Sequence, residues 1–161
     1  MTGTPNEGAE VFFDATPFLR LIIDKDGRWF QNGAEIIHKG IYREFCSLLE
    51  KTADGGYRVR LGREVCRVEV EDAPFVVIQV TEDREERVSI CLNDGTIEPF
   101  VPENFWIGKE NVPYTHIKGG KFHARFSRPA YYQLARYIVS DASEESFFLN
   151  LDGKHLPIRT D

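Results

Sequence analysis

Clustered positive charge is what this chain most plainly lacks. Nowhere in its 161 residues do lysines and arginines gather into a block, and the formal net charge is -6 with a sequence pI near 5.3. A duplex is gripped through its phosphates by grouped cations, so a general duplex DNA or RNA binder is excluded. A local basic pocket for one small anion is not. Cysteine is scarce too: Cys46, Cys66 and Cys91 are far apart, odd in number and form no C-x-x-C pair. This pattern argues against a disulfide framework and for reduced, partly buried thiols in a cytoplasmic protein. No apolar run approaches the roughly 18 residues that span a bilayer. The first ten residues lack the basic start and apolar stretch of a secretory signal. The expectation is a soluble, cytoplasmic protein with no membrane partner.

Recognisable catalytic and metal-binding patterns are missing as well. There is no G-x-S-x-G elbow, and no local signature couples a cysteine to a histidine. Lys118-Gly119-Gly120-Lys121 resembles a phosphate loop only superficially, because Thr115 stands where its first glycine belongs and Phe122 where its Ser or Thr belongs. Glu35 and His38 are three apart, but no further ligand set accompanies them. No metal and no cofactor is therefore expected, and a binding protein is favoured over an enzyme.

What is present is core material and turn chemistry. With 42% hydrophobic and 12% aromatic residues, the chain can bury one core or two small dependent ones. Asp26-Gly27, Asn32-Gly33, Asp94-Gly95 and Asp152-Gly153 are turn signals, since these pairs tolerate left-handed backbone. Between them lie short strands: 19–23, 29–30, 35–37, 57–61, 64–70, 75–80, 88–92, 96–100, 114–117, 122–126 and 147–151. Ile41, Phe45, Leu48 and Leu49 fall at helical spacing and predict one amphipathic helix. Ser127 as N-cap, Pro129 in the first turn and the stripe Tyr131, Leu134, Ala135 and Ile138 predict a second. Residues 101–112, with Pro102, Trp106 and Gly108, read as irregular. The charged run 82–87 and the Lys118–Lys121 stretch read as hairpin tips.

Near the middle, Arg67 to Val80 reads as an alternating strand, an acidic proline turn at Asp72-Ala73-Pro74, and a nearly continuous apolar strand. On either side the plan recurs. A helix near 41–50, a break at Asp54-Gly55-Gly56 and a hairpin around Gly62 correspond to a helix near 130–139, a break at Ser143-Glu144-Glu145 and a hairpin around Gly153. The fold class expected is α+β, with a duplicated core of antiparallel hairpins, each carrying one amphipathic helix. The boundaries expected are a loosely held tail over 1–15, an N-terminal subdomain over 16–73 and a C-terminal subdomain over 74–161.

Five short signatures then occur in order: Asp26-Gly27-Arg28-Trp29-Phe30-Gln31-Asn32-Gly33, Glu71-Asp72-Ala73-Pro74-Phe75, Asn93-Asp94-Gly95, Pro113-Tyr114-Thr115-His116-Ile117, and Arg128-Pro129-Ala130-Tyr131-Tyr132-Gln133-Leu134. In these the chain, from about Phe18 onward, resembles the bacterial family of domain of unknown function 1285. The resemblance implies an α+β fold with a second half superficially like a pleckstrin-homology domain, and a nucleotide-like ligand held between the halves in a signalling role. Where a Trp-containing hairpin is expected near the C-terminus, this chain has Phe147-Phe148-Leu149-Asn150-Leu151.

On the matched signatures, Arg67, Asp72, Asn93, Asp94 and Arg128 are the polar candidates for that site. Arginines hold phosphates through charge-assisted, often bidentate bonds, and Asn and Asp read a base edge or a ribose hydroxyl. Ion pairing among the same residues is the alternative reading. Trp29, Tyr114, Tyr131 and Tyr132 are the rings that could stack a base; Tyr132, off the apolar stripe, is the better candidate, while Trp29 and Tyr131 read as core. His38, before the first helix, and His116, in a strand, are the candidate donors to an anion, with a structural hydrogen-bonding role as the favoured reading of each. The partner expected is a small anionic or nucleotide-like ligand. A protein-interaction module using a sheet edge or the 101–112 segment is the second reading, and an enzyme of unknown class the third.

Overall fold

The computed structural model describes residues 19–161, so the expected tail over 1–15 lies outside the described residues. The chain divides into two compact units, the first ending at Asp72 and the second beginning at Ala73.

In the first unit, β1 (Leu21–Ile23), β2 (Trp29–Gln31) and β3 (Ala34–Glu35) form a meander. Its second turn is the Asn32-Gly33 pair, with both residues at positive φ, as a two-residue hairpin of this hand requires. Helix α1 (Lys39–Leu48) follows, then β4 (Glu50–Lys51), β5 (Tyr57–Leu61) and β6 (Glu64–Val70). The six strands lie in the order β3-β2-β1-β6-β5-β4. Only the β1–β6 pairing is parallel among the described strands of this sheet. Leu21, Ile23, Trp29, Val59, Cys66 and Val68 are buried. Phe45 of α1 packs on Trp29 with ring centroids 5.5 Å apart, so the apolar stripe of α1 seats the helix on the sheet. Ile41, expected on that stripe, is instead about half exposed, and Cys46 takes the buried position.

The second unit contains β7 (Phe75–Glu82), β8 (Val88–Leu92), β9 (Ile97–Pro99), β10 (Phe105–Ile107), β11 (Pro113–Ile117) and β12 (Phe122–Phe126). Helix α2 (Arg128–Ala135) is followed by β13 (Ile138–Ser140), β14 (Phe147–Leu151), β15 (Lys154–Pro157) and β16 (Arg159–Thr160). Seven strands form the second sheet, in the order β16-β10-β11-β12-β7-β8-β9, and β13-β14-β15 form a third. Helix α2 lies along β7, burying Ala130 and Leu134 completely. The face beneath it carries Phe75, Val77, Phe105, Thr115, Ile117, Ala124 and Phe126, all buried. Phe100, Phe105 and Phe126 meet edge to face at centroid distances of 5.5–6.3 Å.

The architecture is therefore mixed α+β, mostly sheet with two helices. The runs α1-β4-β5-β6 and α2-β13-β14-β15 share an element order, each a helix, a short strand and an antiparallel hairpin. Two expectations for the second unit are corrected. The stripe assigned to α2 ends at Ala135, and Ile138 belongs to β13, because the Tyr137 N–H donates to the Leu134 carbonyl and the chain leaves the helix there. The segment 101–112 contains the strand β10, flanked by short 3-10 turns.

Candidate site on the outer face of the second sheet

Strand pairing places alternate residues of β10, β11, β12 and β16 on the face opposite α2. Trp106 pairs with Tyr114 and with Arg159, Tyr114 with Arg125, and His116 with His123. Side chains directly opposed across a sheet share a face, so six aromatic or basic groups come together. The Trp106 and Tyr114 rings are stacked, 5.4 Å apart and 20° from parallel. His116 lies 4.7 Å and His123 6.1 Å from Trp106. Gly108 is what lets Tyr114 lie there, for a Cβ at that position would sit 2.7 Å from Tyr114 Cε2. Beside the stack, Trp106, His116, Arg159, Thr160 and Asp161 line an open cleft of about 560 Å³.

The other residues singled out from sequence are distributed differently. Asn93 and Ser127 donate backbone N–H groups to the consecutive carbonyls of Val76 and Val77. That brings the Asn93–Asp94 turn and the start of α2, with Arg128, to one end of the second sheet. There Asn93 Oδ1 accepts from the Val76 N–H at 2.9 Å. Asp94 Oδ1 accepts from the Thr96 backbone and hydroxyl, and Oδ2 from Lys118 Nζ at 2.9 Å. Burial pushes the Asp94 carboxyl up, but the bonds from Thr96 and Lys118 outweigh it and hold the group below the ordinary carboxylate range. Lys118 is no mobile tip: its Nζ also sits 5.0 Å from the Phe75 ring centroid, and its backbone N–H donates to Glu98. Arg128 and Tyr132 are exposed one turn apart on α2, Tyr132 at 68%.

Arg67, Asp72 and His38 belong to the first unit. Arg67 is exposed and lies 3.7 Å from Asp54. Asp72 is half-buried. His38 caps α1, its Nδ1 accepting from the Ile41 N–H at 3.2 Å. Trp29 is fully buried, as a core ring, and Tyr131 is half-buried. Phe148, in the C-terminal aromatic hairpin, stacks on His155 at 4.4 Å. Phe100 and Phe105 are buried, which counts against an apolar docking patch built on them. Among the described residues, no three His, Cys, Asp or Glu side chains cluster for a metal, and no helix is long and apolar enough to cross a membrane.

Trp106, His123, Arg125 and Arg159 were not among the sequence candidates for a ligand site. The legible signal was the alternation of Tyr114-Thr115-His116 and His123-Ala124-Arg125, which puts polar rings and an arginine on one side and small or β-branched residues on the other.

No protein-family model and no curated protein matches the sequence. Two solved structures are similar. A DUF1285 family protein from Silicibacter pomeroyi DSS-3 superposes with a TM-score of 0.69 at 22% identity, over 88% of this chain and 80% of its own. A DUF1285 family protein from Shewanella baltica OS155 gives 0.56 at 20% identity, over 74% and 92%. The chain thus has the fold of these DUF1285 family proteins.

Proposed function

We propose that this chain is a DUF1285 family member that binds a small anionic, nucleotide-like ligand, in a cytoplasmic sensory role where occupancy rather than turnover is the output. The observation that carries the reading is the Trp106–Tyr114 stack beside Arg159 in its cleft. A base lies on a half-exposed indole at a gain of about 1–3 kcal/mol. An arginine fork next to it takes a phosphate. Asp161, on the same wall, accepts from ribose hydroxyls and favours a nucleoside over free phosphate. A volume of about 560 Å³ is in the range of small-ligand clefts. The site is placed here rather than at Asn93–Asp94 because the acceptors of that turn already serve Val76, Thr96 and Lys118. The shared order of α1-β4-β5-β6 and α2-β13-β14-β15 supports reading the core as a duplication.

The test uses the two tryptophans. Trp29 is fully buried and Trp106 half-exposed, so a stacking ligand quenches Trp106 selectively. Titration with AMP and GMP should give a saturable quench that disappears in Trp106→Phe. A ligand at a hundredfold its Kd should also stabilise the fold by about 2.7 kcal/mol. Neither quench nor thermal shift with any of a nucleotide panel would overturn the reading, and steady conversion of the nucleotide would replace it with an enzymatic one.

A further inference from the structure

The α2 side of the same strands carries a second cavity, chemically unlike the first. Ile107 of β10, Tyr131 and Ala135 of α2, Ile138 of β13 and Phe147 and Phe148 of β14 form the walls of a half-open groove of about 780 Å³, closed further by Pro157 and Ile158. Its volume, and a lining in which these apolar walls are joined by Asn111, Ser140, Ser146 and Thr160, are those of a small-molecule site. Phe147 remains 50% exposed at its rim, a ring left in water. Tyr131 lines the groove, and its hydroxyl has no hydrogen-bond partner among the described residues. Burial pushes its pKa up, so it stays a neutral hydrogen-bonding group.

Charge decides the class of occupant. Glu145 is the only charged side chain among the described residues that line the groove. It sits in the loop 141–146, where Asp141 Oδ1 accepts from Ser143 Oγ and from the Glu145 and Ser146 N–H groups. Those bonds fix the loop that carries Glu145 to the groove, and the loop adds Asp141 and Glu144 within five residues, without a lysine or arginine between them. An anionic head would be repelled at this mouth and a cationic one held.

We infer that the groove is a second ligand site, separate from the Trp106 cleft although Thr160 borders both, for an amphipathic amine whose apolar body lies between Ile107, Ile138 and Phe147 and whose ammonium faces Glu145. The Tyr131 hydroxyl supplies a hydrogen bond along its length.

The neutral fluorophore N-phenyl-1-naphthylamine, excited directly, is the probe. It should bind the full chain saturably at one per molecule, and decylamine should displace it at concentrations about tenfold below those needed for decanol or decanoate. Glu145→Gln, an exposed change, should erase the preference for the amine over decanol while leaving probe binding intact. Ser140→Trp, also at an exposed position on the wall, should fill the groove and abolish probe binding without unfolding the protein, as circular dichroism would verify. Absence of saturable probe binding, equal displacement by decanoate and decylamine, or unchanged binding in Ser140→Trp would each overturn the assignment. Self-association by light scattering that vanishes in Ser140→Trp would give the groove to a second copy instead, and would overturn it too.

Discussion

The two faces of the β16-β10-β11-β12 ribbon share every backbone hydrogen bond and almost nothing else. On one side Phe105, Thr115, Ala124 and Phe126 are buried, with the groove opening at Ile107; on the other, one residue along each strand, stand Trp106, Tyr114, His116, His123, Arg125 and Arg159. In β10 three consecutive residues serve three purposes: Phe105 in the core, Trp106 in the cleft, Ile107 in the groove. The period of two is what permits this, and it also means that a slip of one residue would exchange core for site along the whole strand. The core face therefore sets the register on which the outer face depends.

The largest effect is expected from the buried face. Phe126 is 3% exposed and packs edge to face on both Phe100 and Phe105. Phe126→Ala should cost about 3–5 kcal/mol, read as a lower denaturant midpoint. Both ligand sites should be lost together, because both hang on the same strands. Retention of the Trp106 quench at unchanged affinity in a destabilised Phe126→Ala protein would show that the faces are uncoupled.

Next in size is the pin at the tip of the β11–β12 hairpin. Removing the Asp94 carboxylate leaves Lys118 without its closest partner and should cost about 1–3 kcal/mol at neutral pH. The sign follows from the direction of the shift. Asp94 is held below its ordinary value of about 3.9, so its contribution is complete above that value and is lost as pH falls through the folded-state value. Asp94→Asn should therefore be clearly less stable than the parent at pH 7, with the gap closing below about pH 4. A gap independent of pH, measured by urea unfolding at several pH values, would mean the carboxylate matters only for its shape.

How much of this was legible in the sequence depends on range. The hairpins at Asn32-Gly33 and Asp152-Gly153 could be read because their turns are local and demand residues that accept positive φ. Helix α2 was legible from Ser127 and Pro129, though its end was not. Ile138 continues the helical spacing from Tyr131 by coincidence; it is half-buried and pairs with Leu149 in a separate sheet. Strand β10 escaped because three residues between Pro102 and Gly108 are too few to show a period. The parallel pairings β1–β6, β12–β7 and β10–β16 leave no local trace, since they join segments far apart in the chain. The candidate site inherits that limit: Arg159 reaches Trp106 only through the β10–β16 pairing. The turn Asn93–Asp94 was conspicuous in sequence for its residue types, and the structure uses those same groups to hold backbone and Lys118.

A smaller effect separates position from stability. Gly108→Ala puts a methyl against the Tyr114 ring while its backbone conformation suits any residue. Stability should change by under about 1 kcal/mol, since the half-exposed ring has room to shift. The stack on Trp106 should be disturbed, so nucleotide quenching should weaken about tenfold. An unchanged quench would remove Tyr114 from the site.

The smallest effects on stability give the sharpest separation of the faces. Arg159 and Phe147 are both exposed, and neither Arg159→Gln nor Phe147→Ser should move the unfolding midpoint by more than about 0.5 kcal/mol. Their effects on binding should be crossed. Arg159→Gln removes the cation beside Trp106 and should raise the Kd for AMP about tenfold while leaving N-phenyl-1-naphthylamine binding untouched. Phe147→Ser removes an apolar wall of the groove and should do the reverse. Because strands β10 and β16 pass between the two sites, a double variant is the decisive measurement: independent faces predict that the two losses add, within about 0.5 kcal/mol. Larger coupling would mean that the ribbon transmits occupancy from one face to the other.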